Sequence, residues 1–431
     1  WIAMLVCKGN LLHTTGRTTE ADRLMEGLLP SLEGVDTEGA VSALMLYAAT
    51  RAYAGDADRG VLIAKQALKK AQRVFGADST DGIETATYLG QLCASLRRYR
   101  ESELILDEAI QRWQRLGLPR NEQLARSIFY LARSKDGLGR QDEVEALYKE
   151  GIALMRSVRE APFHRLPQGL VGYADFLIDS ERHDEAKQAL DEALRIDLAT
   201  RGPDDARTAM TVYAHANFHN ARHEDVDAEQ RYRAAVEVLQ ALAKSSGYEP
   251  ELARARLDWT GSLIALGKID QAAALHAAVM PDLSQHFGAQ SGDLADGLCV
   301  GAALKLARGG MAKALQDTDR ALAILHALDI PLPQSEIHCL QVRATALVGL
   351  QRGADARIDA ARAVVRQQQT HPLAIAKLTG LLALRARAER ADADPDAAMA
   401  TVAQARQLGA SVGLLSSKDR ETLEFALPKL P

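Results

Sequence analysis

Helix-breaking positions recur along this sequence at intervals of 42. One set runs Gly16, Gly55, Arg97, Gly139, Glu181, His223, Gly267, Gly309, Gln351 and Ala393, with successive spacings of 39, 42, 42, 42, 42, 44, 42, 42 and 42. A fixed period in this range restricts the fold to a repeat array, in which each unit buries its apolar face only against its neighbours. Strand signals are nearly absent. Long Ala-, Leu-, Arg- and Glu-rich segments with 3.6-residue periodicity make the chain all-α. At 431 residues it holds about ten such units.

Fixed columns around each breaker test the register. Five residues after it stand Ala21, Gly60, Ser102, Val144, Ala186, Ala228, Ala272, Ala314, Ala356 and Ala398. Twelve after it stand Leu28, Ala67, Ala109, Gly151, Ala193, Ala235, Val279, Ala321, Ala363 and Ala405. Seven before it stand Gly9, Ala48, Gly90, Ala132, Ala174, Ala216, Thr260, Ala302, Ala344 and Ala386. Almost all are small, as helices that approach closely require. Eleven before the breaker, nine of ten residues are apolar, Arg256 being the exception, which marks a packing seam.

A second set of breakers lies half a period later and includes Phe75-Gly76, Leu118-Pro119, Gly202-Pro203, Phe287-Gly288 and His371-Pro372. Each unit therefore reads as two antiparallel helices: A before the first breaker, B after it. Residues 1–413 form ten units. Residues 414–431 are expected to add a C-terminal capping helix, Ser416–Leu427, covering the otherwise naked last face.

The small-residue columns, spaced by 12 and 7, are similar to those of the tetratricopeptide repeat. Gly9, Ala21 and Leu28 open the series, and Ala386, Ala398 and Ala405 close it. The 42-residue length, and segments such as ALKKAQRVFGADSTDGIETATYLG, resemble the long-helix repeats of kinesin light chains and their bacterial relatives. That family's tyrosine four residues before the breaker is mostly absent here: Cys93, Lys135, Leu177 and His219 stand in its place. The resemblance implies an α-solenoid, a right-handed superhelix with the A helices on its concave face. It also implies a protein or peptide partner in that groove, held by residues six, ten and thirteen before the breaker, with others at three and two.

In units three to six these positions carry Glu84, Gln91, Arg126, Phe129, Arg133, Asp136, Gln168, Asp175, Asp179, Tyr213, Asn217 and Asn220. Amides and charges converging on a channel can pair with a peptide backbone and its charged side chains, and aromatics can anchor apolar groups. In units seven to nine the same positions are apolar, with Gly261, Ile264, Ala303, Leu306 and Val348. Arrays of this kind are often fused to kinases or transcriptional regulators. The chain, which opens on Trp1, is thus expected to be the non-catalytic sensor part of a larger bacterial signalling protein. The alternative is a receptor whose superhelix changes pitch around a small ligand or signalling peptide.

Other features argue against competing functions. The net charge is −5, and no basic stripe with interleaved aromatics suggests nucleic acid. No apolar run of 18 suggests a membrane span. The four cysteines, Cys7, Cys93, Cys299 and Cys339, form no CxxC pair and read as thiols of a reducing cytoplasm. His215, His219 and His223 lie on one helical stripe, but no glutamate follows the first as a zinc-protease motif needs, so they read as packing or surface residues. The GxSxG match at 409–413 follows a helix rather than a strand and reads as a helix end. The glycine-containing stretch Gly261–Lys268 also reads as a helix end, and Trp113 and Trp259 read as core. No catalytic constellation, cofactor or metal site is expected.

Overall fold

The computed structural model describes residues 2–14, 18–53, 56–158, 165–246, 248–328, 332–372 and 374–412. Among them are ten helix pairs and no strand. The A helices are α1 (Ile2–Thr14), α3 (Glu38–Tyr53), α5 (Thr80–Ser95), α7 (Glu122–Gly137), α9 (Leu166–Asp179), α11 (Ala206–Ala221), α13 (Glu249–Ala265), α15 (Gly292–Ala307), α17 (Pro333–Gly349) and α19 (Ile375–Ala391). The B helices between them are α2 (Thr18–Leu32), α4 (Ala57–Val74), α6 (Tyr99–Arg115), α8 (Gln141–Ser157), α10 (His183–Thr200), α12 (Asp225–Ser246), α14 (Ile269–Phe287), α16 (Met311–Ala327), α18 (Gly353–Thr370) and α20 (Pro395–Val412). The expected capping helix, with the rest of 414–431, lies outside the described residues. No helix among those described is long and apolar enough to cross a membrane.

The breaker positions share one backbone conformation. Gly139, Gly267 and Gly309 have positive φ, and so do the non-glycines Arg97, Glu181, His223, Gln351 and Ala393, at 57 to 60°. Each ends an A helix in the same motif. At the third unit the Arg97 amide donates to the Ala94 carbonyl (3.1 Å) and the Arg98 amide to the Cys93 carbonyl (2.8 Å). The same two bonds recur at the other seven breakers and satisfy carbonyls that the helix end would leave bare. The first two breakers, Gly16 and Gly55, fall outside the described residues. Every residue of the three small columns is buried. At Gly90 an added Cβ would sit 2.6 Å from Leu106, and at Gly60 2.7 Å from the Ala48 carbonyl, so helix spacing is set by the missing side chains.

Ten units wind through two turns, and the turns touch. Helix α1 of the first unit packs on α12 of the sixth, and α3 of the second on α14 of the seventh. Arg97, between the two helices of the third unit, binds Asp296 of the eighth at 2.7 Å. Gly139 of the fourth abuts Thr370 of the ninth. Glu181 of the fifth accepts from the amides of Ala376 and Lys377 in the tenth, each at 3.0 Å. The offset is five units each time, so five units complete one superhelical turn.

One expectation is corrected. Cys299 on α15 and Cys339 on α17 form a disulfide, with Cα atoms 5.4 Å apart. A separation of 40, two short of the period, places both thiols on the facing sides of neighbouring A helices. Spacing by CxxC rules does not detect a pair made through a repeat. Cys7 and Cys93 remain free, and burial pushes the Cys93 thiol up to about 12.

Candidate functional site

The concave A-helix faces of units three to six, closed over by the second turn, enclose a channel of about 730 Å³. Eight of the twelve residues expected in the groove line it: Phe129, Arg133, Asp136, Gln168, Asp175, Asp179, Tyr213 and Asn217. The repeat explains the convergence. The position six before the breaker supplies Arg133, Asp175 and Asn217 from three successive helices, α7, α9 and α11, as one polar row. Gln91 continues the row on α5 but is buried at 7% exposure, outside the channel lining. Glu84, Arg126 and Asn220 also lie outside that lining.

These side chains are held differently. Phe129 is part of the core: its ring fills the space that Cβ atoms at Gly151 and Gly169 would occupy. Tyr213 donates to Asp258 and packs against Tyr232 with ring centroids 6.0 Å apart. The Asn217 carbonyl accepts from the Tyr232 hydroxyl at 2.7 Å, and Gln168 donates to the Tyr130 hydroxyl at 3.0 Å. Asp136 accepts from Gln141 at 2.9 Å, and Asp179 is paired with Lys377 at 2.6 Å. The Arg133 guanidinium and the Asp175 carboxylate, both reachable by water inside the channel, have no protein partner among the described residues.

The surrounding protein and neighbouring carboxylates make negative charge costly here. Burial, and then the charge of Asp179, push the carboxyls of Asp136 and Asp175 up to about 7. Asp258, beneath Tyr213, is pushed up to about 6 by burial. At Asp293 burial acts in the same direction, but Arg254 and Arg97 outweigh it and the carboxyl lies below its usual range.

The second turn adds residues that the six- and ten-before columns do not supply. Tyr248, Glu251 and Arg254 of that turn line the channel, with Leu332 to Gln334, and Arg97, Tyr99, Tyr148 and Arg201 line it from the first turn. Arg254 pairs with Asp293 at 2.6 Å and lies 4.4 Å over the Phe287 ring. A signal for part of this wall exists: thirteen before the breaker, unit seven carries Arg254, and units eight and nine carry the polar Asp296 and His338.

The three histidines of the helical stripe are held in different ways. His215 is buried, and burial lowers it to about 4. His223 is a breaker, and His219 binds Glu224 at 2.6 Å before α12, with Asp227 near enough that three ligand atoms lie within 4.8 Å of one another. Residues 409–412 of the GxSxG match are in α20, and Gly413 is outside the described residues. Gly261–Lys268 is the end of α13, and Trp113 is buried with its indole donating to the Pro119 carbonyl at 3.0 Å.

Comparison with known proteins agrees with this architecture. A family model described as tetratricopeptide repeat matches residues 86–157, in units three and four. No curated protein matches the sequence at a significant level. Among solved structures, a Rap protein complexed with competence and sporulation factor is similar over 86% of this chain and 99% of its own, at 12% identity and a TM-score of 0.60. Aspartyl phosphate phosphatase F from Bacillus subtilis is similar over 85% of this chain and 94% of its own, at 16% identity and a TM-score of 0.51. Nearly identical TPR-like repeats of a kinesin light chain from Podosopora anserina align with 47% of this chain and 96% of their own, at 15% identity and a TM-score of 0.38. The chain is an α-solenoid of helix pairs with a 42-residue repeat, and its third and fourth units match the tetratricopeptide repeat.

Proposed function

We propose that this chain is the non-catalytic binding module of a bacterial signalling regulator, and that a peptide segment of its partner occupies the channel of units three to six. The observation that carries this reading is the row Arg133, Asp175 and Asn217. Two of its three members, Arg133 and Asp175, present ionisable groups to the channel with no partner among the described residues. Ionisable groups without a protein partner are free to pair with an incoming ligand, and charge-assisted hydrogen bonds are the strong ones. The tyrosines Tyr99, Tyr130, Tyr148 and Tyr213 add apolar surface with polar tips, suited to a peptide backbone. The solved solenoid with the highest TM-score named above holds competence and sporulation factor, which supports a ligand within a coil of this kind.

The channel volume favours a second reading, a small-molecule or signalling-peptide receptor. About 730 Å³ falls within the ordinary range of compact ligand sites. Both readings use the same residues. Capture on immobilised peptide libraries, followed by titration with Arg133→Glu and Asp175→Lys, tests the first. Each charge reversal is expected to weaken the selected peptide by tenfold or more. Unchanged affinity in both would remove the channel as the binding site.

A further inference from the structure

Beside the channel, at the N-terminal ends of α7, α9 and α11, lies a second group of polar side chains whose hydrogen-bonding capacity is all of one sign. Arg126 is fixed by two amides: its Nη2 donates to Gln91 Oε1 at 2.8 Å and its Nη1 to Gln123 Oε1 at 3.2 Å. Gln123 is itself oriented, donating through Nε2 to the Thr87 hydroxyl at 2.9 Å. Arginine has no acceptor, so the oxygen of Gln91 must face it and the Gln91 amide nitrogen must point away. That nitrogen is buried and has no acceptor, and neither has Arg126 Nε. Gln91 as a whole is only 7% exposed. Two adjacent buried donors lacking acceptors are a costly arrangement unless an acceptor is supplied from outside.

The surrounding charge has the matching sign. Arg126 is held below the usual range, first by burial and then by the charge of Arg165, with Arg207 contributing. Arg165 caps the start of α9 and Arg207 lies in the first turn of α11. The Arg207 guanidinium has no partner among the described residues. Of the carboxylates nearby, Glu122 is engaged by Arg165 at 2.5 Å, and Asp205 accepts from the Arg207 backbone amide at 2.8 Å. Among these named groups three cations outnumber two anions, next to helix ends that already carry partial positive charge.

We propose that Gln91, Arg126, Arg165 and Arg207 form an oxyanion subsite, which binds a carboxylate or phosphate of the ligand in the neighbouring channel. Arg165 and Arg207 also line that channel and connect the two. The subsite rests on the channel reading only for its natural ligand. Its chemistry can be tested alone.

The test uses the full chain and Gln91→Glu, a change of nearly equal shape that places a carboxylate beside Arg126. Thermal melts are recorded with sodium phosphate, with sodium acetate, and with sodium chloride at matched ionic strength. In the parent chain, phosphate or acetate is expected to raise Tm above the chloride control. In Gln91→Glu the melting temperature without added oxyanion should rise, and the oxyanion increment should vanish. Arg126→Gln should weaken the apparent oxyanion affinity about tenfold, the loss of roughly one charge-assisted bond. A Gln91→Glu protein that keeps the full increment, or a parent chain with no increment in either salt, overturns the subsite. Which salt acts at lower concentration separates phosphate from carboxylate. Once a peptide is in hand, amidating its C-terminus shows whether that carboxylate is the group bound. If no peptide binds and the inorganic increment persists, the channel reading fails and the subsite stands.

Discussion

Glu181 offers the sharpest test of how the two superhelical turns are joined. It occupies a left-handed breaker position at φ 58°, where a non-glycine residue costs about 1 kcal/mol. Its carboxylate reaches across to α19 and accepts from the Ala376 and Lys377 amides, both at 3.0 Å. Helix α19 has Ala374 at its N-cap and no side-chain cap of its own, so Glu181 serves as a cap supplied from 195 residues away. An ordinary side-chain cap contributes about 1 kcal/mol, and ionisation of the acceptor roughly doubles a hydrogen bond. With both bonds partly open to water, Glu181→Ala should cost about 2 kcal/mol. Alanine bears the same backbone strain as glutamate, so the substitution isolates the side chain. Urea unfolding gives the magnitude, and amide exchange gives the place: the Ala376 and Lys377 amides should lose protection while those of α9 keep theirs. A cost below about 0.5 kcal/mol with unchanged exchange at both amides would refute the contact between the fifth and tenth units.

Other consequences can be checked in the same way. Ala393→Gly and Gln351→Gly, at breakers with no bond across the turns, should each stabilise the chain by about 0.5 to 1 kcal/mol in urea unfolding. Gly353→Ala should cost about 3 kcal/mol, because its Cβ would lie 2.2 Å from the Ala391 carbonyl carbon, a backbone atom. The contribution of Asp136 and Asp175 to stability should fall as pH rises from about 4 to about 7, opposed over the lower part of that range by His215, and the difference between the parent chain and Asp175→Asn isolates it. The raised carboxyls of Asp136 and Asp175 bind protons in the folded chain that the unfolded chain has already lost, and Asp175→Asn should flatten that slope. Reducing the Cys299–Cys339 bond, which closes 40 residues, should lower stability by up to about 4 kcal/mol on the chain-entropy account, as read by unfolding with and without a thiol reductant.

Much of this architecture is legible in the amino-acid order because repetition writes each constraint ten times. Eight breakers are read as helix ends from spacing alone, although Arg97, Glu181, His223, Gln351 and Ala393 have none of glycine's freedom. The column identifies them where residue type would not. The polar row of Arg133, Asp175 and Asn217 is legible for the same reason. Contacts between units five apart are not, because they depend on superhelical pitch, a sum of small rotations at every interface. Arg97 and Glu181 are therefore ordinary surface charges in the sequence and become bridges only after one full turn. The disulfide is hidden for a related reason, since neither cysteine has a partner within its own unit. Gln91 and Arg126 stand in groove columns yet lie beside the channel rather than in its lining, which is visible only from their burial and hydrogen bonds.

The central claim is that ten units coil into two touching turns around a channel. Small-angle scattering of the chain in solution tests it most directly. A coil closed on itself should have a radius of gyration close to the compact value for its length, about 22 to 26 Å. A radius well above about 30 Å, with the elongated profile of an open solenoid, would contradict the closed channel and the site built within it.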